Sequence, residues 1–175
     1  MSTRSLEDRI RDIEDRLEIL NLVAAHPPGA DTAATEYIRT AWVEDGMFDV
    51  GGGKAMSGRE DIATHVRIPA HLAAIESGIC HFAGLPHIAL KGDKAIVTSY
   101  LQILVPQTQG DPVEVPNHGV SKGFRAHRVG ANRWELVRTE EGWKIKSRVS
   151  APLNSEKARQ ILRSGLEKAV GGRTL

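Results

Sequence analysis

His81 is the residue of this sequence best suited to proton transfer. It lies in the stretch Ile79-Cys80-His81-Phe82-Ala83-Gly84, where most of its neighbours are apolar. Burial among apolar side chains keeps an imidazole neutral, and the neutral form can accept a proton. Such a ring needs a partner that fixes its tautomer, and a carboxylate does this well. His81 is therefore either a catalytic base or a hydrogen-bonded histidine of the core.

The other histidines are less informative. His65 and His71 fall in a helical stretch, where surface or packing roles are the usual ones. His87 follows a proline, and His118 and His127 flank a long loop, so position alone leaves their roles undecided.

The spacing of these side chains does not favour a metal site. Zinc sites on helices use two histidines four residues apart with a third ligand downstream. Here His65 and His71 are six residues apart, as are His81 and His87, so no metal is expected. Nucleophilic catalysis is not indicated either, because the sequence has no Gly-x-Ser-x-Gly motif and Cys80 should point away from His81 on an alternating strand.

The balance of charges argues against nucleic acid and membranes as partners. The 175 residues include 23 Lys and Arg and 22 Asp and Glu, spread evenly, with a net charge of +1. Phosphate backbones and anionic membranes are bound by clustered basic residues, and no apolar run approaches membrane-spanning length. We expect a single cytoplasmic domain over residues 1–175, with a small molecule as its partner.

Apolar residues at helical spacing predict a helix at each end of the chain. In the first helix they are Leu6, Ile10, Ile13, Leu17, Leu20 and Ala24. Pro27-Pro28-Gly29 should end this helix. Ser155 should cap the last one, which forms a C-terminal extension over residues 153–175 that stops at Gly171-Gly172.

Two further helices are predicted between these ends. One runs from Thr32 to Val43, with Asp31 available as its N-cap. The other runs from Arg59 to Ser77 and is interrupted near Pro69.

Alternating apolar segments predict a sheet. The expected strands are Met47–Val50, Ile79–Leu90, Lys94–Pro106, Val120–Arg128, Arg133–Arg138 and Trp143–Val149. Gly130-Ala131-Asn132 reads as a turn, and 107–119 reads as a long loop at the rim of a pocket. A chain in which helices come first and a bent antiparallel sheet follows has an α+β arrangement. A curved sheet packed on helices can enclose a ligand cavity.

Several short motifs carry a family likeness from about Leu6 to Val149. They are Gly29-Ala30-Asp31, Trp42-x-x-Asp45-x-x-Phe48, Gly58-Arg59-Glu60-Asp61-Ile62, Cys80-His81-Phe82, Lys91-Gly92-Asp93-Lys94-Ala95 and Glu141-Gly142-Trp143-Lys144-Ile145-x-x-Arg148. In their order and spacing the sequence resembles the SnoaL-like proteins of the nuclear-transport-factor-2-like (NTF2-like) class. The branch it resembles contains scytalone dehydratase, bile acid 7α-dehydratase and γ-hexachlorocyclohexane dehydrochlorinase. The resemblance implies a cone-shaped barrel of curved mixed sheet packed on N-terminal helices.

The resemblance also implies site residues. Asp31 and His81 fall on the catalytic dyad of this branch, and Arg148 falls on an active-site arginine. His26 falls where tyrosine or lysine is usual; its alternative role is to interact with the last carbonyls of a helix. Simple alternation places Arg148 on a solvated face opposite Trp143 and Ile145, unless the strand twists or bulges.

The function that the resemblance implies is a cofactor-independent lyase. It would eliminate water or another leaving group from a small, largely apolar cyclic or polycyclic substrate, with Trp42, Phe48, Tyr100 and His118 as expected substrate contacts. An isomerase, hydratase or polyketide-cyclase-like enzyme, or a non-catalytic binding domain, are the alternatives. Apolar faces on the first and last helices suggest self-association, and the resemblance implies a dimer or trimer, of which we favour the trimer.

Overall fold

Helices packed on a mixed sheet make up the fold, as the computed structural model shows for residues 4–51 and 55–170 and for side chains as far as residue 166. The helices are α1 (Leu6–Ala24), α2 (His26–Asp31), α3 (Thr35–Ala41), α4 (Arg59–His65), α5 (Pro69–Glu76) and α6 (Glu156–Val170). The strands are β1 (Trp42–Asp49), β2 (Ala55–Ser57), β3 (Cys80–Ala83), β4 (His87–Lys91), β5 (Lys94–Pro106), β6 (Val113–Val115), β7 (Gly119–Ser121), β8 (Phe124–Thr139) and β9 (Gly142–Pro152). This α+β architecture confirms the predicted fold class.

The main sheet has seven strands in the order β2-β1-β9-β8-β5-β3, and β4 also pairs with β5. Strands β1 and β9 are parallel, whereas the other neighbours are antiparallel. The three long strands β5, β8 and β9 lie side by side and supply the floor on which the helices rest. None of the helices among the described residues is long and apolar enough to cross a membrane.

Helix α1 begins as predicted but turns a different face to the core. Ser5 caps it, because its hydroxyl accepts a hydrogen bond from the Asp8 N–H and the Asp8 carboxylate accepts one from the Ser5 N–H. The buried residues of the helix are Asp15, Ile19 and Val23. The predicted apolar positions Leu6, Ile10, Ile13 and Leu17 are between 47% and 65% exposed. They form an uncovered apolar stripe.

The segment after α1 confirms one prediction and corrects another. Helix α1 ends at Ala24, just before the prolines, and Pro27 and Pro28 then occupy the first turn of α2, where a missing N–H breaks no helical hydrogen bond. Asp31 is the last residue of α2, not an N-cap, and the residue before α3 is Ala34. The Asp31 carboxylate is therefore free to bind elsewhere. Between α2 and α3 the backbone of Ala33 has a positive φ of 52°.

Several strand boundaries also differ from the prediction. The segment 79–90 is divided into β3 and β4, which pair in succession with the same edge of β5. Gly130-Ala131-Asn132 is not a turn, because β8 runs through it and pairs with both β5 and β9. Strand β1 begins at Trp42, and the predicted loop 107–119 contains β6, which pairs with β7.

The core lies between the sheet and the first five helices, and α6 covers the opposite face of the sheet. The largest fully buried side chains of the main core include Trp42, Trp134 and Ile38. On the other face Ala158 and Ile161 of α6 pack against Ala131 and Ala151. Ser155 accepts a hydrogen bond from the Ala158 N–H, as predicted for the cap of α6. The predicted stop at Gly171-Gly172, like Gly52-Gly53, lies outside the described residues.

Candidate active site

A cavity of about 150 Å³ lies between the sheet and helices α2 to α5. Its apolar lining includes Phe48, Ile62, Val66, Leu101, Ile103 and Trp134. Its polar lining includes His26, His65, His71, His81, Arg128, Asn132, Arg148 and Ser150. A concave apolar space with a few convergent polar groups is the usual form of a small-molecule site.

Asp31 and His81 are hydrogen-bonded at the wall of this cavity. One carboxylate oxygen of Asp31, Oδ2, accepts the backbone N–H of His81 at 2.8 Å, and Oδ1 lies 2.5 Å from the ring Nδ1. Because an ionised carboxylate only accepts, Nδ1 carries the proton and Nε2 keeps its lone pair in the neutral ring. Nε2, the other ring nitrogen, takes no part in this contact with Asp31.

His26 and Arg148 form a second buried pair. Arg148 Nη1 lies 2.6 Å from His26 Nε2, and Nη2 donates to Asn132 Oδ1 at 3.2 Å. A guanidinium has no acceptor, so His26 accepts through Nε2 and is neutral with its proton on Nδ1. Burial lowers the pKa of His26 well below its ordinary value, and the charge of Arg148, together with that of His81 whenever its ring is protonated, lowers it further.

Arg148 faces the cavity because β9 contains a bulge. Leu136 of β8 pairs with Ile145 and Glu135 pairs with Ser147, so Lys146 is an extra residue without a partner in β8. The extra residue shifts the alternation, and both Ile145 and Arg148 are buried. This local irregularity overturns the solvated position that simple alternation predicts for Arg148.

The same register packs Arg148 between two aromatic rings. Its direct neighbours across the sheet are Phe48 on β1 and Trp134 on β8. The guanidinium carbon lies 4.4 Å from the Phe48 ring centroid and 4.3 Å from that of Trp134, distances at which a cation is attracted to an aromatic face. Burial, and secondarily the charge of Arg128, lower the pKa of Arg148 to about 9, so it remains charged at neutral pH.

Comparison with known proteins identifies the family of this chain. The family model described as the SnoaL-like domain matches residues 11–149, most of the chain. The chain belongs to the SnoaL-like family. A search of curated proteins found no match.

Among solved structures, this SnoaL-like chain is similar to an NTF2-like protein with a cystatin-like fold from Novosphingobium aromaticivorans. The two are 33% identical with a TM-score of 0.79, over 92% of this chain and 99% of the other. A protein from Streptomyces avermitilis provisionally described as a dehydratase of the NTF2-like family shares 18% identity and a TM-score of 0.59, over 81% and 98%. LinA shares 13% identity and a TM-score of 0.63, over 82% and 89%. The last two similarities show the fold.

SnoaL-like domains bind small molecules. Four of the eight residues expected at the site line the cavity, namely His26, Phe48, His81 and Arg148, and Asp31 is hydrogen-bonded to one of them, His81. Trp42 is buried behind this lining, with its ring centroid 5.9 Å from that of Phe48. Tyr100 lies on the opposite face of β5 from Leu101 and is half exposed. His118 is exposed at the β6–β7 hairpin, where Nδ1 bonds to the carbonyl of Pro116. Trp42, Tyr100 and His118 are therefore not among the residues that line this cavity.

Sequence reasoning missed several polar residues of the cavity, among them His71 and Asn132. His71 was expected to be a surface or packing residue, but it lines the cavity and its Nε2 lies 2.9 Å from the carbonyl of Ala30. Asn132 was assigned to a turn, but it is 1% exposed in the middle of β8. The period-two series Asn132, Trp134 and Leu136 was the signal that could have placed it on the cavity side.

No group of three or more His, Cys, Asp or Glu side chains within the described ranges is arranged to hold a metal ion. The polar groups of the cavity instead divide into an imidazole held by a carboxylate and a buried guanidinium. The first can accept a proton and the second can stabilise negative charge.

Proposed function

We propose that this SnoaL-like protein is a cofactor-independent lyase that eliminates a small leaving group from a small, largely apolar cyclic substrate. His81 is the base, Asp31 positions it, and Arg148, oriented by His26, supports negative charge that develops on the reacting molecule. The support is chiefly geometric. The proposal extends the small-molecule role of the family to a particular reaction.

The observation that carries the proposal is the double hydrogen bond from His81 to Asp31. It occupies Nδ1 and the backbone N–H, so that the lone pair of Nε2 remains for a substrate at the cavity wall. An exposed imidazole without such a partner would sample both tautomers and several rotamers. A base that is already oriented loses no further conformational freedom on reaching the transition state.

The proposed reaction begins when His81 Nε2 takes a proton from carbon. The electrons of that C–H bond form the new double bond, and the bond from the neighbouring carbon to its hydroxyl oxygen breaks. The proton then passes from the imidazolium to the departing oxygen, so the products are an alkene and water. The Asp31 carboxylate stabilises the imidazolium between these two transfers.

We do not assign His26 the role of proton donor in this reaction. Its pKa is lowered by burial, and its Nε2 already accepts a hydrogen bond from Arg148. A ring held neutral in this way is a poor source of protons near neutral pH. We assign it the task of orienting the Arg148 guanidinium, whose charge faces the cavity.

The test is turnover of a panel of cyclic β-hydroxy ketones and β-hydroxy acids, followed by mass spectrometry and by proton NMR in D₂O. Loss of one water from the substrate is expected with the wild-type protein. His81→Ala should abolish both the elimination and any exchange of the substrate C–H for deuterium. His118→Ala, which removes an exposed histidine away from the cavity, should leave both unchanged.

The other outcomes separate the alternative functions. An unchanged product mass with exchange of the C–H would indicate an isomerase or a cyclase, and a gain of one water would indicate a hydratase. Full activity in His81→Ala would rule out the dyad. Tight binding of an apolar ligand with neither exchange nor product, unaffected by Asp31→Asn, would favour a binding domain.

We also propose that the protein self-associates, with a trimer favoured over a dimer. The support is the apolar stripe of Leu6, Ile10, Ile13 and Leu17 on α1, which no other described residue covers. Contiguous exposed apolar area of this kind is uncommon on monomers. Analytical ultracentrifugation should show an oligomer that Ile10→Glu with Ile13→Glu dissociates; a wild-type monomer would contradict the proposal.

A further inference from the structure

The lining of the cavity has an unbalanced positive charge. Arg128 and Arg148 both line it, and no carboxylate among the described residues forms an ion pair with either. The acidic group at the wall, Asp31, is already bound to His81. Buried charges in proteins are normally paired, because an unpaired charge removed from water is costly. A buried guanidinium that lacks a counter-ion on a cavity is therefore a place where a ligand can supply one.

The hydrogen-bonding groups around this charge are also unbalanced. Arg148 Nε and His26 Nδ1 are buried without a partner, and so is the indole Nε1 of Trp134. All three are N–H groups, since Nε2 of His26 is already an acceptor for Arg148. The nearby acceptor, Asn132 Oδ1, is in use by Arg148 Nη2. Around Arg148 the cavity lining therefore lacks hydrogen-bond acceptors with negative charge.

Stacking limits how a ligand could reach the guanidinium. Phe48 and Trp134, on the two strands beside β9, have ring centroids 4.4 and 4.3 Å from the guanidinium carbon, so polar contacts must use N–H groups that point away from these rings. The edge of a guanidinium matches a carboxylate, which accepts two parallel hydrogen bonds in one plane. A spherical anion or a lone hydroxyl cannot accept two parallel hydrogen bonds from this edge in the same way.

We propose that the ligand of this cavity carries a carboxylate, which binds the edge of Arg148 while the rest of the molecule lies in the apolar part beside His81. The carboxylate is a permanent group of the ligand and is distinct from a leaving group, whose charge appears only during reaction. The placement of the reacting carbon beside His81 rests on the function proposed above, whereas the anion site does not. A cavity of about 150 Å³ suits a single ring, since an apolar cavity of about this size holds benzene.

The binding test uses benzoate, benzamide and benzylammonium, which share a ring and differ in charge, in isothermal titration calorimetry near neutral pH. Wild-type protein should bind benzoate at least about tenfold more tightly than benzamide, because hydrogen bonds to charged groups are the stronger ones. Benzylammonium should not bind. Equal affinity for benzoate and benzamide, or binding of benzylammonium, would overturn the proposal without any variant being needed.

Two variants test whether Arg148 is the group responsible for the preference for benzoate over benzamide. Asn132→Asp places a carboxylate where Asn132 already bonds to Arg148, so it should remove the preference for benzoate while raising the Tm. Arg148→Met should also remove it. Arg133→Met, which removes an arginine that pairs with Glu135 away from the cavity, should keep it. A preference that survives in both Asn132→Asp and Arg148→Met would place the anion elsewhere and contradict the proposal.

A last comparison separates a permanent carboxylate from a leaving group, and separates this inference from the lyase proposal. Asp31→Asn should keep the preference for benzoate even if it cannot catalyse elimination. Where the wild type is active, 2-hydroxycyclohexanecarboxylate should be a substrate and its methyl ester should not. Equal turnover of acid and ester would contradict the carboxylate site, whereas benzoate selectivity without turnover of either would contradict only the lyase.

Discussion

The Asp31 carboxylate binds His81 at two points, with Oδ2 on the backbone N–H and Oδ1 on the ring Nδ1, although fifty residues separate the two in sequence. The first contact fixes the end of α2 against β3, and the second fixes the tautomer of the imidazole. One side chain thus both joins two elements of the fold and prepares a base at the cavity wall.

Asp31→Asn should keep the fold and lose the reaction. An amide can still accept one of the two hydrogen bonds, but it cannot stabilise an imidazolium, and comparable losses of a supporting carboxylate lower turnover on the order of 10³–10⁴-fold. The measurement is kcat for any substrate identified in the panel, with circular dichroism to verify folding. Asp45→Asn, at an exposed ion pair with Lys146, is the matched control and should retain activity. A loss of less than tenfold in Asp31→Asn would contradict the positioning role.

His26→Gln should make the protein less sensitive to acid. The pKa of His26 is lowered by burial in the folded state, while in the unfolded chain it is about 6.5. As the pH falls below 6.5 the unfolded chain takes up a proton that the folded protein does not, so the free energy of unfolding decreases until the folded pKa is reached. Glutamine does not titrate and can still accept from Arg148.

The measurement for His26 is urea unfolding at about pH 7.5 and pH 5. Between about pH 6.5 and 5 the wild type should lose up to about 1.4 kcal/mol per pH unit more than the variant. His118→Gln, at an exposed site, should follow the wild type. Parallel curves for His26→Gln and the wild type would show that His26 is not held neutral.

Asp15→Asn should weaken the contact between α1 and the sheet. The carboxylate of Asp15 accepts hydrogen bonds from Arg138 at 2.5 Å and from the Trp143 indole at 3.1 Å. The hydrogen bond from Arg138 is the main reason that the pKa of Asp15 is lowered. At neutral pH the free energy of unfolding of the variant should be lower than that of the wild type by about 1–3 kcal/mol.

The pH dependence distinguishes this effect from a packing defect. Because the folded pKa of Asp15 lies below its unfolded value of about 3.8, its contribution is present above that value and is lost as the pH falls through the folded pKa. The difference between wild type and Asp15→Asn should therefore shrink in strong acid. Asp93→Asn removes the other, largely exposed, partner of Arg138 and should cost less than about 1 kcal/mol.

Gly165→Ala should destabilise the packing of α6 even though alanine favours helices. A Cβ at Gly165 would lie 2.5 Å from Thr98 Oγ1 and 2.9 Å from Cγ2, closer than atoms can approach. The expected cost of overpacking is about 1–3 kcal/mol and exceeds the gain in helix propensity of about 1 kcal/mol. Thermal unfolding should show a lower Tm for Gly165→Ala and little change for Arg163→Ala, at an exposed position of α6. An increase in Tm would indicate that Thr98 can move aside.

Some features were determined by the sequence alone because they depend on neighbouring residues. The capping box at Ser5, the cap at Ser155, the break at Pro69 and the length of β5 follow from residues within one or two turns of each site. Local chemistry was enough for these. The pairing of Asp31 with His81 was instead implied by the family resemblance of the motifs around them, and the structure brings the two residues together.

Other features were decided only by tertiary structure. Gly130-Ala131-Asn132 has the composition of a turn, yet it lies in β8 because strands on both sides supply partners for its backbone. Helix α1 buries the face with Asp15, which finds donors on β8 and β9, and leaves its more apolar stripe exposed. Arg148 reaches the cavity through a bulge that depends on how β9 pairs with β8. Each outcome depends on a hydrogen-bonding or packing partner far away in the chain, and local sequence does not specify such partners.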